Sequence, residues 1–211
     1  MNSVEYVQQF PLKEYNAGEM LLQKGDSLDC LMAIREGFVK ITSITDTGIE
    51  RLLWIAGRYD VLPTEQLFSK NANVKYFYTA LTNGTYYAVD KKSFLDVAFE
   101  NSELMNEVAR GMSAHYDDLL DRIDSVDTAT VKERLVRTLC YLAERLSGSG
   151  TVDLYEAGLR LTHQDLAAMI GSTRETTSLT LNELRQDKLI QYNRKQFVVN
   201  VDRLLETVEK S

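Results

Sequence analysis

Hydrophobic positions follow different patterns in the two parts of this 211-residue chain. Between residues 17 and 90, short apolar or alternating runs include MLL, FVKITSI, RLLWIA and TYYAV. Glycines separate these runs: Gly18, Gly25, Gly37, Gly48, Gly57 and Gly84. Such runs between turn residues are typical of antiparallel strands, and FVKITSITDTGIERLLWI is the clearest hairpin. The first part of the chain therefore predicts a β-sandwich or roll.

After Asp90 the chain becomes rich in Leu, Glu, Asp and Ala, a composition typical of helices. A long helix is predicted to begin near Asn101 or Ser102, either of which can cap it. Its apolar residues recur every three or four positions, the repeat of a seam between two parallel helices. The predicted seam consists of Met105, Val108, Met112, Tyr116, Leu119, Ile123 and Val126. Packing of this stripe on the β domain is the alternative.

The helical pattern is interrupted at Asp127 and Thr128, where we place a domain boundary. Thr130-x-x-Glu133 is a capping box that predicts the start of a second helix. The SGSG segment at 147–150 ends this helix. Four leucines lie on one of its faces: Leu135, Leu139, Leu142 and Leu146. A hinge is expected between Val126 and Thr130.

The segment LTHQDLAAMIGSTRETTSLTLNELRQDKLI, residues 161–190, predicts two short helices joined by a tight turn. Thr162 can cap the first helix, and Gly171 can end it in the left-handed conformation. Ser172-x-x-Glu175 is a second capping box, which opens the next helix one residue later. Small side chains at Ala167 and Gly171 would let the two helices cross closely. This spacing predicts a helix-turn-helix.

The second of these helices has an apolar side and a polar side. The apolar side carries Thr177, Leu181 and Leu184, and the polar side carries Arg174, Ser178 and Arg185. The apolar side is expected to form the core, which leaves the polar side for solvent or for a groove.

The first turn of this helix carries side chains suited to reading base edges. Arg174 can pair bidentately with guanine, and Glu175 can accept a hydrogen bond from cytosine. In the alternative interpretation Glu175 only caps the helix and Arg174 is a solvated charge. Leu179 flanks this surface and could contact a thymine methyl, or it could be a partly buried leucine.

The stretch QYNRKQFVVNV after Ile190 predicts a two-stranded hairpin, a wing, whose tip carries Asn193, Arg194 and Lys195. The basic tip of such a wing commonly lies near backbone phosphates, so Arg194 and Lys195 are predicted phosphate contacts. A solvated turn is the alternative.

The net charge of the whole chain differs in sign from that of its second part. The total of −7 would count against a nucleic-acid partner. Residues 1–127 hold 12 basic and 20 acidic side chains, a net of −8, whereas residues 128–211 hold 12 and 11, a net of +1. The weakly basic second part predicts feeble nonspecific DNA binding and a dependence on dimerisation and specific contacts.

Other classes of protein find little support in the sequence. No run approaches the roughly 18 apolar residues of a membrane span, and MNSVEYVQQF lacks the pattern of a signal peptide, so we expect a cytoplasmic protein. Cys30 and Cys140 are expected to be structural thiols, although redox sensing at Cys30 stays open. The histidines, His115 and His163, lie at no metal-ligand or nucleophile-base spacing, so neither a metal site nor an enzyme is expected.

The chain resembles the Crp/Fnr family of bacterial transcription regulators over nearly its whole length. GEMLLQKGD and LMAIREGFVKI resemble the first strands of the family's β-roll, and GSTRETTSLTLNEL resembles its recognition helix. The resemblance implies an α+β fold with a β-roll sensor domain at 1–100, a dimerisation helix and hinge at 101–127, and a winged helix-turn-helix DNA-binding domain at 128–211. It implies that Ser178 also reads bases. It implies phosphate contacts by Thr162, His163, Gln164, Thr173 and Thr176.

Two departures limit what the resemblance implies. Leu179 replaces the arginine that ends the family's recognition pattern, so the usual half-site is not expected. Pro63 and Tyr78 stand where cyclic-nucleotide binders have a glycine and the phosphate-binding arginine, so we expect no response to cyclic AMP or cyclic GMP. The pattern of iron-sulfur or haem sensors is absent as well, and no cofactor is expected.

An aromatic concentration in the sensor domain has two interpretations. It can be a core that fills the ancestral pocket, or a pocket for a less charged or aromatic effector. The candidate pocket residues are Trp54, Tyr59, Tyr76, Tyr78 and Tyr86.

The resemblance implies a homodimeric DNA-binding regulator of a pseudo-palindromic site that acts with RNA polymerase. It would be gated by an effector other than a cyclic nucleotide, or be constitutive. The alternative is a ligand-binding or protein-interaction module with a vestigial helix-turn-helix.

Overall fold

A computed structural model describes residues 3–69, 73–128, 130–147, 150–194 and 196–208. The chain divides into two compact units. The first unit comprises Met1–Gly48 and Leu53–Leu120, and the second comprises Ile49–Leu52 and Asp121–Ser211. Helix α1 spans Ser3–Val7 at the start of the first unit.

Two four-stranded antiparallel sheets form the β-roll predicted for the first part of the chain, in the orders β1-β8-β3-β6 and β2-β7-β4-β5. The strands are β1 (Leu12–Tyr15), β2 (Met20–Leu22), β3 (Cys30–Glu36), β4 (Val39–Ile44), β5 (Glu50–Ala56), β6 (Val61–Leu62), β7 (Phe77–Ala80) and β8 (Gly84–Asp90). The predicted hairpin is confirmed, because β4 and β5 are neighbours. Alternate residues of β7, Tyr78 and Ala80, are buried, as expected for a strand with one face in the core.

Gly84 is required by a close backbone approach at the start of β8. A Cβ at this position would overlap the carbonyl oxygen of Glu36 and the ring of Tyr15. The Tyr15 hydroxyl donates a hydrogen bond of 2.8 Å to that same carbonyl. The absence of a side chain at Gly84 therefore lets Tyr15 tie β1 to β3.

Two helices follow the β-roll, where the sequence predicted one. Helix α2 (Lys91–Glu100) is capped by Asp90, whose carboxylate accepts from the backbone N–H of Ser93 at 2.7 Å. Helix α3 (Ser102–Thr128) begins as predicted, because the Asn101 side chain accepts from the N–H groups of Glu103 and Leu104. The predicted interruption at Asp127 and Thr128 is wrong, since both residues are helical. Neither is a strong helix breaker such as glycine or proline.

The second unit contains the elements of the predicted winged helix-turn-helix. They are α4 (Val131–Ser147), β9 (Thr151–Asp153), α5 (His163–Ile170), α6 (Arg174–Gln186), β10 (Ile190–Tyr192), β11 (Phe197–Asn200) and α7 (Val201–Val208). The capping box of α4 is confirmed, because the Thr130 N–H donates to the Glu133 carboxylate and the Glu133 N–H donates to the Thr130 hydroxyl. These bonds hold the pKa of Glu133 below its ordinary value.

The core of the second unit includes the leucine face predicted for α4. Leu135, Leu139 and Leu142 are at most 1% exposed, whereas the Leu146 side chain lies outside the described part of the structure. Cys140 is also buried, and burial raises the pKa of its thiol to about 12. Cys30 is exposed in the first unit. Within the described ranges, no helix combines the length and the apolar character needed to cross a bilayer.

Candidate nucleic-acid interface

The N-terminus of α5 is fixed by the cap that the sequence predicted. Thr162 has an extended backbone, with φ −82° and ψ 162°, and its hydroxyl accepts from the Asp165 N–H at 3.1 Å. The Asp165 carboxylate accepts from the N–H of Thr162 at 2.9 Å and from its hydroxyl at 2.6 Å. This capping box leaves the positive end of the α5 dipole at the surface, beside His163 and Gln164.

Gly171 ends α5 in the predicted left-handed conformation, with φ 63° and ψ 43°. The sequence also predicted that Gly171 lets the two helices cross closely. That prediction is wrong, because a Cβ at this position would meet nothing within 4 Å. Gly171 is therefore needed for its backbone angles and not for a close helix crossing. Ala167, which is fully buried, is the small residue that lies in the helix-turn-helix core.

Helix α6 is capped by Thr173, and the predicted Ser172-x-x-Glu175 box is wrong by one residue. The Thr173 hydroxyl accepts from the Thr176 N–H at 3.2 Å and lies 3.0 Å from the Thr176 hydroxyl. Glu175 is consequently the second helical residue, where a side chain cannot make the reciprocal bond of a capping box. Its carboxylate is exposed beside Arg174 in the first turn.

The two sides of α6 are arranged as predicted. Thr177, Leu181 and Leu184 are completely buried, and the Thr177 hydroxyl donates to the Thr173 carbonyl at 2.9 Å. Leu179 lies on the other side and is 66% exposed, so only about one third of its surface is covered by the protein. An apolar side chain this exposed on a helix surface is available to a ligand.

A chain of hydrogen bonds joins α5 to α6. His163 Nδ1 lies 2.8 Å from the hydroxyl of Ser178, and that hydroxyl donates to the carbonyl of Arg174 at 2.8 Å. Burial, with a further contribution from the Arg174 cation, lowers the pKa of His163 below its ordinary value. Thr162, His163, Gln164 and Arg174 line one open depression of about 520 Å³. Four predicted contacts from two helices therefore share one concave surface.

The wing has the two predicted strands and a third that the sequence did not predict, in the order β10-β11-β9. Its tip is closed by Asn193, whose N–H donates to the Gln196 carbonyl at 2.9 Å and whose side chain accepts from the Gln196 N–H at 3.2 Å. Arg194 is exposed there, whereas Lys195 lies outside the described residues.

Tyr192 connects the wing to the helix-turn-helix, a role that sequence reasoning missed. Its hydroxyl donates to the Asn182 side chain at 3.0 Å, and its ring makes a T-shaped contact with the His163 ring at a centroid distance of 5.6 Å. The guanidinium of Arg185 lies 5.1 Å from the Tyr192 ring centroid. An aromatic residue in the last strand position before a basic hairpin tip was the available signal.

Two family models match the chain, and together they account for both units. The model of the Crp-like helix-turn-helix domain matches residues 133–207, and that of the cyclic nucleotide-binding domain matches residues 12–101. The chain is a Crp/Fnr-family regulator.

Individual relatives of the Crp/Fnr-family regulator align with it over most of their length. It is 25% identical over 189 residues to the global nitrogen regulator of Synechococcus elongatus, which covers 89% of this chain and 85% of the relative. It is 25% identical over 173 residues to the anaerobic regulatory protein of Bacillus subtilis, and this alignment covers 81% of this chain and 71% of the relative. The solved structure of FixK2 from Bradyrhizobium japonicum superposes with a TM-score of 0.79 at 16% identity, over 93% of this chain and 96% of that one.

These likenesses establish the fold and the general function. The regulator is a DNA-binding transcription regulator of the Crp/Fnr type, and the relatives named above are regulators rather than enzymes. Among the described residues, no group of three or more His, Cys, Asp or Glu side chains is arranged to hold a metal ion.

The predicted seam of the Crp/Fnr-family regulator is incompletely covered within one chain. Met105, Val108 and Met112 are half-buried, while Tyr116 is 61% and Leu119 is 37% exposed. The side chains of Ile123 and Val126 lie outside the described part of α3. A neighbouring face of α3 makes contacts within the first unit instead. There Leu104 is fully buried, and the His115 ring meets that of Trp54 at a centroid distance of 4.1 Å.

The five aromatic residues proposed as an effector pocket do not share one environment. Tyr78 is fully buried and Trp54 nearly so, whereas Tyr59 is 64% exposed with a φ of 76°. Tyr76 and Tyr86 are half-buried, and the Tyr86 ring lies 6.2 Å from that of Tyr15. Tyr78 donates a hydrogen bond of 2.6 Å to the carboxylate of Glu65, which lies in the 3-10 turn at Thr64–Gln66.

Proposed function

We propose that the regulator binds a pseudo-palindromic DNA site as a homodimer and places its two α6 helices in successive major grooves about 34 Å apart. The observation that carries the proposal is the two-sided character of α6. Its inner side is completely buried at Thr177, Leu181 and Leu184, while Arg174 and Leu179 on its outer side are exposed.

The base-reading contacts come from the exposed residues of α6. Arg174 is placed in the first turn, where a recognition helix contacts base edges, and its guanidinium can pair with O6 and N7 of guanine. Glu175, released from helix capping by Thr173, can accept from the amino group of cytosine. Leu179 supplies an apolar contact for the methyl group of thymine.

The phosphate contacts come from the helix termini and the wing. Thr162, His163 and Gln164 lie at the start of α5, and Thr173 and Thr176 at the start of α6, where backbone dipoles favour an anion. Arg194 lies at the exposed wing tip, and Lys195 follows it in the sequence. These contacts position the protein without reading sequence.

Selection from randomised duplex DNA tests the proposal. The wild-type protein should enrich a two-fold symmetric site, and Arg174→Ala should bind that site about 1–3 kcal/mol more weakly per half-site, with relaxed preference at one base pair of each half-site. Arg58→Ala is the matched control, because Arg58 is an exposed arginine of the β-roll. Equal enrichment by wild type and Arg174→Ala would contradict the readout assignment.

Dimerisation through α3 is supported by the exposure of Tyr116 and Leu119, which continue the stripe of Met105, Val108 and Met112. A second α3 would bury this stripe as a parallel seam. Leu119→Glu should therefore shift the sedimentation coefficient from that of a dimer to that of a monomer. Arg110→Glu on the exposed opposite side of the helix should leave the dimer intact. Dissociation by both substitutions or by neither would reject the seam.

Neither cyclic AMP nor cyclic GMP is the effector in this proposal. Burial raises the pKa of Tyr78 well above its ordinary value, so its hydroxyl stays neutral and donates to Glu65. A cyclic phosphate at this position would meet the phenol of Tyr78 and the carboxylate of Glu65 in place of the arginine that cyclic-nucleotide binders carry. Thermal unfolding should show no shift with either nucleotide, and a saturable rise in Tm would overturn this point.

The sensor unit is either constitutive or gated by a less charged or aromatic effector, for which Trp54, Tyr76 and Tyr86 would supply rings with polar tips. Mass spectrometry of the purified protein under native conditions is the test, and a bound small molecule of fixed mass would identify the gated case.

At promoters, the DNA-bound dimer would act on RNA polymerase. Transcription in vitro from a template with the selected site, with and without the regulator, tests that partnership.

A further inference from the structure

We infer that His163 is a proton-dependent ligand of a DNA backbone phosphate, and that Ser178 orients the His163 ring instead of reading a base. The inference rests on the proposed DNA contact of this surface and adds a regulation by pH to it. It starts from a side-chain pair that lies 15 residues apart in the sequence and joins the two helices of the helix-turn-helix.

The hydrogen-bond chain fixes which imidazole nitrogen carries the proton. A hydroxyl has one proton, and the Arg174 carbonyl, at 2.8 Å from the Ser178 hydroxyl, can only accept. The Ser178 hydroxyl therefore donates to this carbonyl and accepts from His163 Nδ1, 2.8 Å away. In neutral His163 this leaves Nε2 without a proton. Nε2 then presents a lone pair, which would repel a phosphate oxygen.

Protonation converts His163 from an acceptor into a phosphate ligand. The imidazolium keeps its Nδ1–H bond to Ser178 and gains an Nε2–H that can donate to a phosphate oxygen. His163 lines the same depression as Thr162, Gln164 and Arg174, so such a phosphate would lie at the start of α5. Histidine is the side chain whose ordinary pKa makes this change possible near neutral pH.

The charges around His163 decide the sign of the effect. Arg174 from α6 disfavours the imidazolium in the free protein, and burial acts in the same direction. Tyr192 from β10 presents its ring to His163 and is itself covered by the Arg185 cation. On α5, the Asp165 carboxylate is engaged by the Thr162 cap.

A phosphate would reverse this balance, since it offsets the Arg174 cation and pairs with the imidazolium. The pKa of His163 is therefore lowered in the free protein and raised in the complex, and binding takes up a proton. Affinity should increase as pH falls toward the pKa of free His163, and this gain should be lost as pH rises through the pKa of the complex. Each unit by which the pKa rises on binding corresponds to about a tenfold gain in affinity per subunit.

Ser178 has a positioning role in this scheme. Its hydroxyl donates a hydrogen bond to the Arg174 carbonyl and accepts one from His163 Nδ1. Ser178→Ala should weaken the selected site at pH 6.5 and reduce the pH dependence, while the preference for each base stays unchanged. Ser178→Thr, which retains a hydroxyl at the same position, should restore both affinity and pH dependence.

The experiment is fluorescence anisotropy on the selected duplex between pH 6 and 8.5 at constant ionic strength. Wild type should lose at least tenfold in affinity across this range, and His163→Gln should show a markedly flatter profile. His115→Gln is the matched control, because it removes the only other histidine of the chain and lies in the first unit. The control should retain the slope of the wild type.

Proton NMR gives a second readout that does not depend on affinity. In the His115→Gln background, the remaining imidazole signal should titrate at a pH below the ordinary range of histidine in the free protein, because the pKa of His163 is lowered there, and at a higher pH in the complex. Parallel pH profiles for wild type and His163→Gln, or an unchanged His163 titration in the complex, would overturn the inference while leaving DNA binding intact. A change in base preference in Ser178→Ala would overturn its positioning role. Failure of the wild-type protein to bind any selected duplex would overturn the proposed function as well.

Discussion

Leu179 and Leu181 lie two positions apart on α6, and their substitution should separate DNA recognition from stability. Leu181 is completely buried, so Leu181→Ala should cost about 2–5 kcal/mol of the free energy of unfolding. Leu179 is 66% exposed and therefore buries about one third of its side chain. Because full burial of a leucine contributes about 1.5–3 kcal/mol, Leu179→Ala should cost less than about 1 kcal/mol.

Leu179→Ala should weaken DNA binding, although it has little effect on the free energy of unfolding. The substitution removes the branched end of the side chain, and loss of one or two buried methyl groups corresponds to about 1–2 kcal/mol of binding free energy. Affinity for the selected site should therefore fall by roughly five- to thirtyfold for each half-site. Replacement of a contacted thymine by uracil removes one methyl group, so it should weaken wild-type binding about fourfold and leave Leu179→Ala unaffected.

Urea denaturation followed by circular dichroism measures the stability difference, and anisotropy with thymine- and uracil-containing duplexes measures the readout. The reasoning about α6 is refuted if Leu179→Ala unfolds as readily as Leu181→Ala. The thymine contact is refuted if no uracil substitution in the site distinguishes wild type from Leu179→Ala.

Three further predictions concern the local geometry. Thr162→Ala removes the hydroxyl that caps α5, so it should lower the free energy of unfolding by about 1 kcal/mol in urea denaturation, and Thr162→Ser should restore it. Gly171→Ala should cost about 1–2 kcal/mol because of its φ of 63°, although a Cβ there meets no neighbour; a neutral result in the same assay would reject the conformational explanation. Burial raises the pKa of Cys140 to about 12, so mass spectrometry of iodoacetamide-treated native protein should find exposed Cys30 modified well before Cys140, and equal rates would contradict this burial.

Local chemistry was sufficient to predict several elements of the fold. Thr162 and Asp165 form a cap from residues three positions apart, and Gly171 meets a backbone requirement at its own position. The same reasoning misplaced the start of α6, because Ser172 and Thr173 are both good caps and the sequence does not distinguish them; in the structure Thr173 accepts the capping hydrogen bond from the Thr176 N–H. Asp127 and Thr128 lowered the local helix propensity but did not interrupt α3, since their cost is small in a helix of 27 residues.

Other features depend on contacts that a linear pattern does not contain. The short strand β9 is completed by pairing with β11, which lies more than 40 residues further along the chain. The contact between His163 and Ser178 requires the crossing of α5 and α6. Family resemblance implied a base contact for Ser178, whereas its hydrogen bonds favour a role in orienting His163. The positioning role proposed for Ser178 therefore depends on tertiary contacts, which the sequence pattern of α6 does not contain.

Methylation interference on the selected duplex tests the central claim most directly, because it probes the N7 atom that Arg174 is proposed to contact. We predict that N7 methylation of one guanine in each half-site blocks binding of the wild-type protein, with the two guanines related by two-fold symmetry and the half-sites about 34 Å apart. Arg174→Ala should lose this interference at both guanines. Binding that ignores N7 methylation, or an identical pattern for Arg174→Ala, would contradict the account.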